Sequence, residues 1–289
     1  MTTAPPRRLV AGRHALDLTR PRVMGILNVT PDSFSDGGRF LDRDRAIAHA
    51  RAMLAEGADL IDVGGESTRP GAAPVPEAEE IDRVVPVIEA LVADGALVSV
   101  DTMKPAVMRA AIAAGASMVN DVRALREAGA IEAVAQSGAA VCLMHMRGTP
   151  ASMQEAPEYV DVVADVRGFL MSRAGVCEAA GIARERIVLD PGFGFGKTRA
   201  HNMTLLARLG EIAALGYPVL AGLSRKSTLG AITGRAEDGR VAASVAAALI
   251  AVERGASILR VHDVPQTVDA LKVLDAVLHA GDAATKVKP

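Results

Sequence analysis

The chain contains no tryptophan, only 2 tyrosines and 5 phenylalanines, and no long run of basic residues. Proteins that bind nucleic acid usually present a positive surface or aromatic side chains on which bases stack. The formal net charge of this chain is −2 at pH 7. The composition therefore argues against a nucleic-acid partner.

Cysteine and long apolar segments are also scarce. The 2 cysteines, Cys142 in an apolar run and Cys177 in a helical pattern, are too few for a disulfide framework and are typical of buried small side chains. The longest apolar stretch, residues 241–252, is interrupted by Ser244 and is far shorter than the roughly 20 residues that a membrane span needs. Residues 1–8 lack the apolar segment of a secretion signal. We expect a cytoplasmic protein with no membrane partner.

Eight short apolar runs alternate with alanine-rich helical patterns. The chain has 289 residues, 50% of them hydrophobic, which is enough for one large core. Nearly every run leads into polar residues, and the run ends are Asn28, Asp62, Asp101, Asn120, Met144, Asp190, Ser224 and Arg260–His262. Parallel strands that alternate with helices and carry functional residues at their carboxyl ends predict an α/β fold, the (β/α)8 or TIM barrel.

We predict that this barrel is a single domain covering residues 1–289. Its parts are a short N-terminal β-hairpin at 7–20 that covers the bottom of the barrel, the barrel itself at 21–279 and a C-terminal tail at 280–289. Glycine-alanine pairs, which end helices and lead into strands, recur along the chain at Gly57, Gly115, Gly138 and Gly255.

Two loops, residues 29–43 and 63–76, are longer than packing requires and follow the first two barrel strands. Such loops at this face are usually binding loops or lids, so we expect both to be mobile. Asn28 and the first loop offer oxygen donors without cysteine or histidine, which suits Mg²⁺ shared with a phosphate. Arg69 in the second loop suits an anion.

Three polar residues at strand ends, Asp101, Asn120 and Asp190, are predicted to converge. A carboxylate accepts two hydrogen bonds and an amide both donates and accepts, so together they match a flat ring with amino and oxo groups. Any one of them alone could be a turn-capping residue. Met144 would give the ring an apolar, polarizable floor.

Residues 190–198 include Gly196-Lys197-Thr198, the end of a phosphate-binding P-loop motif. That motif requires a glycine where this chain has Pro191, so the motif is absent. The segment instead places Phe195 between glycines, in a position suited to an aromatic substrate.

Two further segments predict an anion site. Residues 224–227 lie where the seventh strand becomes a helix, and Arg260 and His262 alternate by two on the eighth strand. In TIM barrels this corner commonly binds phosphate through helix amides and cations.

Five segments resemble bacterial dihydropteroate synthase: 24–38, 65–71, 190–197, 224–227 and 260–263, within a match over about residues 7–279. The resemblance implies a transferase of folate synthesis, a target of sulfonamides. It would join 6-hydroxymethyl-7,8-dihydropterin diphosphate to 4-aminobenzoate with the help of Mg²⁺, as a homodimer.

The resemblance also assigns residues by motif. The pterin would be held by Asp101, Asn120, Met144, Asp190, Gly222 and Lys226. The diphosphate would be held by Asn28, which also binds Mg²⁺, and by Arg69, Arg260 and His262. The aminobenzoate side would be formed by Thr68, Arg69, Pro70, Phe195 and Ser227. The catalytic residues would be Asp101, Lys226, Arg260 and His262. The chain differs from many relatives after Asn120-Asp121, where Val122–Leu125 replace a glycine-containing turn.

Three other functions compete with this one. A pterin-barrel methyltransferase shares the Asp and Asn set but has no use for a diphosphate clamp. A Schiff-base aldolase would use Lys226, although Arg225 and Ser227 beside it suit an anion better. A catalytically silent paralogue would bind pterin without turnover.

Overall fold

A computed structural model describes residues 8–30, 38–67, 73–148 and 157–284 of the chain. Large parts of the two loops predicted to be mobile, residues 31–37 and 68–72, lie outside the described residues. So do residue 7 of the predicted hairpin and residues 285–289 of the predicted tail.

An antiparallel hairpin precedes the barrel, as predicted. It consists of β1 (Arg8–Ala11) and β2 (His14–Asp17), joined by a turn at Gly12. Leu9 and Leu16 are buried in one cluster with residues from the bottom of the barrel strands, such as Met24. The hairpin therefore closes the amino-terminal end of the barrel and leaves the opposite end open for a site.

Eight parallel strands form the barrel. They are β3 (Arg22–Asn28), β4 (Leu60–Gly64), β5 (Val98–Asp101), β6 (Met118–Asp121), β7 (Ala140–Met144), β8 (Ile187–Asp190), β9 (Leu220–Ala221) and β10 (Ile258–Val261). The sheet order is β8-β7-β6-β5-β4-β3-β10-β9, and a single bridge between Leu189 and Val219 joins its two edges. The predicted TIM barrel is confirmed. The seventh barrel strand is shorter than predicted, because only two residues of the 219–223 run pair as a strand.

Helices surround the strands. They are α1 (Gly38–Ala55), α2 (Glu77–Ala93), α3 (Pro105–Ala113), α4 (Ala130–Ala135), α5 (Val162–Ala179), α6 (Arg199–Ala207), α7 (Gly210–Ala213), α8 (Ser227–Thr233), α9 (Val241–Glu253) and α10 (Val264–Ala284). The four glycines predicted to end helices all have positive φ. Helix α10 continues into the segment that we predicted as a tail. No helix within the described ranges combines the length and the apolar character needed to cross a bilayer.

Two large clusters of apolar side chains make up most of the core. The larger one lies between the strands and the surrounding helices and includes Val63, Val100 and Leu189. The smaller one fills the lower barrel and includes Leu60, Met118 and Cys142. Alternate residues on a strand face opposite sides of the sheet, so inward-facing positions near the carboxyl ends remain for polar side chains.

Candidate active site

Four polar side chains from four strands form one hydrogen-bonded cluster at the carboxyl end of the barrel. Arg260 on β10 donates from Nε to Asp62 Oδ2 on β4 at 2.6 Å and from Nη2 to Asp101 Oδ2 on β5 at 2.7 Å. Asn120 on β6 donates from Nδ2 to the same Asp62 oxygen at 2.9 Å. The cluster brings together three residues that the sequence predicted as site residues.

Asp62 is at the centre of this cluster, although we predicted no role for it. The strand was expected to end there, whereas β4 continues to Gly64. Asp62 is completely buried, and within the described part of the chain its Oδ1 atom has no hydrogen-bond partner. Leu60, two residues earlier, faces the barrel interior. The period of two along a strand therefore places Asp62 on the same inner side and was the signal that could have found it.

The charges in the cluster influence each other strongly. Burial raises the pKa of the Asp101 carboxyl to about 7, and the neighbouring Asp62 adds to this effect while Arg260 opposes it. A carboxyl with a pKa this close to neutrality can change its charge under physiological conditions. The charge of Asp101 thus depends on what binds next to it.

Asp190, at the end of β8, accepts a hydrogen bond at Oδ1 from the Gly192 amide at 2.7 Å. Burial raises the pKa of Asp190, and the Gly192 amide and Lys226 oppose that shift. Lys226 precedes α8, and its Nζ lies 4.2 Å from the centre of the Phe195 ring. These residues form a second polar part of the site.

An apolar cluster lies at the same end of the barrel. It contains the buried side chains of Val122, Met144 and Met146, with Met103 and Phe195 packed against them. Thioethers and an aromatic ring make a flat, polarizable surface that suits a planar ligand. Met144 was predicted as the floor of the ring site, and its place beside Asp190 in the β7–β8 register agrees with that position.

His262 follows β10 and contacts Ser224, which follows β9. The Ser224 Oγ atom lies 3.0 Å from His262 Nδ1 and accepts the His262 backbone N–H at 3.1 Å. Burial lowers the pKa of His262 to about 4, and Arg260 and Arg225 add to this effect. His262 is therefore neutral at pH 7 when no anion is bound beside it.

The other predicted site residues are distributed around the same opening. Asn28 ends β3 with an exposed side chain, and Ser227 is an exposed residue at the start of α8. Gly222 lies beside Arg260, whose Cβ would be 4.0 Å from a Cβ atom at position 222. Three predicted residues lie outside the described residues: Thr68, Arg69 and Pro70.

The side chains at the barrel mouth near Asn28 indicate which kind of Mg²⁺ site they could form. Among the residues with described coordinates, no three His, Cys, Asp or Glu side chains are grouped as a metal cage. Mg²⁺ commonly uses one or two protein oxygens together with substrate phosphates and water. An exposed amide oxygen at the barrel mouth fits that second kind of site, in which the substrate supplies most of the ligands.

Comparison with known proteins identifies the family. The family model described as "Pterin binding enzyme" matches residues 24–262. The chain is 52% identical to a dihydropteroate synthase of Escherichia coli over 274 residues, which covers 94% of this chain and 97% of the relative. The chain belongs to the dihydropteroate synthase family. A Mycobacterium leprae member is 47% identical, with 94% and 99% covered.

Solved structures of this family have the same fold. The Xanthomonas albilineans dihydropteroate synthase with 4-aminobenzoic acid is 57% identical, has a TM-score of 0.89 and covers 96% of this chain and 99% of its own. The Burkholderia cenocepacia dihydropteroate synthase complexed with 7,8-dihydropteroate is 53% identical, with a TM-score of 0.88 and coverage of 97% and 100%. The family predicted from five sequence segments is thus confirmed over nearly the whole chain.

Proposed function

We propose that this transferase joins 6-hydroxymethyl-7,8-dihydropterin diphosphate to 4-aminobenzoate, forming 7,8-dihydropteroate and releasing diphosphate. The observation that carries the proposal is the Asp62–Asp101–Asn120–Arg260 cluster at the barrel mouth, with Asp190 and an apolar cluster at the same end of the barrel. Two solved family members, bound to 4-aminobenzoic acid and to 7,8-dihydropteroate, support the same substrates.

The pterin ring would be recognised by hydrogen bonds to its amino and oxo groups. Asp101 and Asp190 offer carboxylate acceptors, while Asn120 offers both a donor and an acceptor. Lys226 would donate to a ring oxygen or nitrogen. The buried setting strengthens these bonds and makes a ring that lacks a matching group bind poorly, because buried polar atoms would remain unpaired.

The leaving diphosphate would be held by Arg260 and His262, with Arg69 and Asn28 completing the set. A guanidinium has five N–H donors, and the two carboxylates beside Arg260 occupy two of them. The rest of the same group suits phosphate oxygens. When bound through Asn28 and the diphosphate, Mg²⁺ supplies positive charge that stabilises the leaving group.

The chemical step needs no general base to activate the nucleophile, since an aryl amine is already neutral at pH 7. The C–O bond to the diphosphate breaks first, and its electron pair leaves with the diphosphate. Asp101, when ionised, stabilises the positive charge that develops on the pterin, so the step has SN1 character. The amine nitrogen then forms the C–N bond and releases its proton to water or diphosphate.

The first experiment is diphosphate release from a mixture of the purified protein, Mg²⁺, the pterin diphosphate and 4-aminobenzoate. A matched mixture without 4-aminobenzoate serves as the control. Release that requires the arylamine, together with formation of 7,8-dihydropteroate, supports the proposal. Pterin binding without release identifies a silent paralogue. A separate mixture with a methylated pterin as donor and a corrinoid as acceptor tests for a methyltransferase.

We also propose that the protein is a homodimer that associates through its outer helices. Val273 and Val277, one turn apart on α10, are each 66% exposed, and Leu278 beside them is exposed to the same degree. A cluster of exposed aliphatic side chains on one helix suits burial against a second copy. Light scattering should give twice the mass of 29.9 kDa, and Val273→Glu together with Val277→Glu should give the monomer.

The proposed compartment is the cytoplasm. Cys142 and Cys177 are both buried and free, as is usual where thiols are kept reduced. Fractionation of cells that produce the protein, with a cytoplasmic and a secreted marker enzyme, tests this proposal.

A further inference from the structure

The loop of residues 191–198, between β8 and α6, is pressed closely against the segment that follows β7. A Cβ atom at Gly192 would lie 1.9 Å from the His145 carbonyl oxygen, and one at Gly196 would lie 2.4 Å from that of Arg147. Both glycines have positive φ. Any larger residue would displace the loop, so its path depends on these contacts.

The buried side chain of Lys197 donates hydrogen bonds to backbone carbonyls of this loop. Its side chain is only 3% exposed. The Nζ atom donates to the carbonyl oxygens of Gly192 at 2.8 Å, Phe195 at 3.1 Å and His145 at 3.3 Å, and lies 2.9 Å from His145 Nδ1. Within the described ranges no carboxylate is close enough for an ion pair with it. The ammonium occupies a cage of dipoles, as a bound cation would.

Burial of such a group is unfavourable. It lowers the pKa of Lys197 to about 7, and Asp190 opposes the shift. Burial and Lys197 together lower the pKa of His145 to about 3. His145 is therefore neutral, and its Nδ1 can accept a hydrogen bond from the ammonium. A buried cation of this kind weakens the stability of the fold. Its presence is therefore better explained by the residues that it positions than by a contribution to folding.

Lys197 contacts two residues, Gly192 and Phe195, and each of them lies against a different part of the candidate site. Its Gly192 contact fixes the residue whose amide donates to Asp190 at 2.7 Å. Its Phe195 contact fixes the residue whose ring lies beside Lys226 and against the methionine cluster. A tight turn, from the Phe195 amide to the Gly192 carbonyl at 3.1 Å, links the two contacts.

We propose that Lys197 is a positioning residue for the transfer reaction, which sets the Phe195 ring at the aminobenzoate side and the Gly192 amide behind Asp190. The substrates involved are those of the proposed function, on which this inference rests. Lys197 itself touches neither substrate. Its removal should therefore weaken aminobenzoate binding strongly and pterin binding less, because the other pterin contacts remain.

The chain contains a matched control for this role. Arg186, just before β8 at the opposite end of the barrel, is also a buried cation, with 8% exposure. It too is held by carbonyl oxygens: Nε and Nη2 donate to Ala139 at 2.9 and 2.7 Å, and Nη2 also donates to Val134 at 2.9 Å. Removing Arg186 should disturb the fold to a similar degree, and its contacts with Ala139 and Val134 include no predicted site residue.

The test compares Lys197→Met and Arg186→Met with the parent protein. Both variants should have a lower Tm. Only Lys197→Met should raise the KM for 4-aminobenzoate, by about tenfold, with a smaller change in the KM for the pterin diphosphate. Fluorine NMR gives a readout that does not depend on turnover, since the chain has only 5 phenylalanines to label. The Phe195 signal should shift in Lys197→Met and stay in place in Arg186→Met.

A Lys197→Met protein whose KM values and Phe195 signal match those of Arg186→Met overturns the proposal and leaves Lys197 a purely structural residue. If Lys197→Met does not fold, Lys197→Gln is compared with Arg186→Met, with a smaller rise expected in the KM for 4-aminobenzoate because its amide keeps part of the donation to the carbonyl oxygens. An inactive parent protein refutes the proposed function instead, and the fluorine signal still decides whether Lys197 sets the loop.

Discussion

Arg260 Nη2 lies 2.7 Å from Asp101 Oδ2, which joins the predicted diphosphate clamp to the predicted cation-stabilising carboxylate. The two residues are 159 positions apart in sequence and meet because β5 and β10 deliver their side chains to the same end of the barrel. In the proposed reaction Arg260 faces the negative charge that leaves and Asp101 the positive charge that develops. Arg260 also bonds Asp62, so this single guanidinium lies between two carboxylates before substrate binds.

Asp101→Asn separates charge stabilisation from ring binding. The amide oxygen can still accept from Arg260, and the side chain keeps its size, but it has no negative charge for the transition state. We expect kcat to fall about a hundredfold while the dissociation constant of the pterin changes several-fold at most. Steady-state rates and calorimetric titration measure the two effects. Turnover equal to that of the parent protein would remove the cation-stabilising role.

The pH dependence of the rate should report the ionisation of Asp101. Because the pKa of Asp101 is raised to about 7 and the ionised form is the active one, kcat/KM for the pterin diphosphate should fall as pH decreases below about 7. His262, with its pKa lowered to about 4, stays neutral across this range.

One control isolates that effect. Lys197 also loses its proton near pH 7 and contacts Gly192 behind Asp190, so its titration must be present in both proteins that are compared. Asp101→Asn retains any titration of the substrate phosphates but lacks the carboxyl, so the difference between the two profiles belongs to Asp101. Identical profile shapes would contradict the assignment.

Arg260→Ala should impair both folding and diphosphate binding. Asp62 is completely buried, and it would keep only its hydrogen bond from Asn120. Removing one partner of a buried ion pair typically costs about 3–5 kcal/mol of unfolding free energy. We also expect a higher KM for the pterin diphosphate, measured below the Tm of the variant. An unchanged KM would place Arg260 outside the diphosphate site.

Much of this site could be predicted from sequence because a barrel places its strand ends together. Asp101, Asn120 and Arg260 were identifiable from that rule alone, and the structure joins them in one cluster through Asp62. Asp62 was recognised at the end of an apolar run but was given no role, although the period of two from the inward-facing Leu60 places it inside the barrel. Lys197 could not be found, since its partners are mostly backbone carbonyls that carry no sequence signal.

The turn after β6 has a backbone shape that could not be predicted from the sequence. Ala124 and Leu125 adopt positive φ, a conformation that residues other than glycine rarely take. Asp121 stabilises this conformation by accepting the amides of Arg123 and Leu125 at 2.8 and 2.7 Å. Arg173 on α5 donates to the carbonyls of Ala124 and Leu125. Tertiary contacts therefore enforce a backbone shape that local preference disfavours.

Lys104→Met tests a second buried group of charges, which consists of Lys104, Glu66 and Glu80. Lys104 Nζ lies 2.5 Å from both Glu66 Oε2 and Glu80 Oε2, and 2.6 Å from the Val75 carbonyl. Glu80 is almost completely buried, so loss of the ammonium leaves its carboxylate without a counterion. We expect the free energy of unfolding to fall by about 3 kcal/mol.

The double variant Lys104→Met, Glu80→Gln should recover part of that loss, because the neutral amide needs no counterion. Denaturant unfolding of the parent, both single variants and the double variant gives the coupling energy between the two side chains. Glu79, one residue away and paired with Arg83 near the surface, provides the control: Glu79→Gln should not rescue Lys104→Met. Equal rescue by the two substitutions would mean that the effect is a general change in net charge and not the release of a buried, unpaired Glu80.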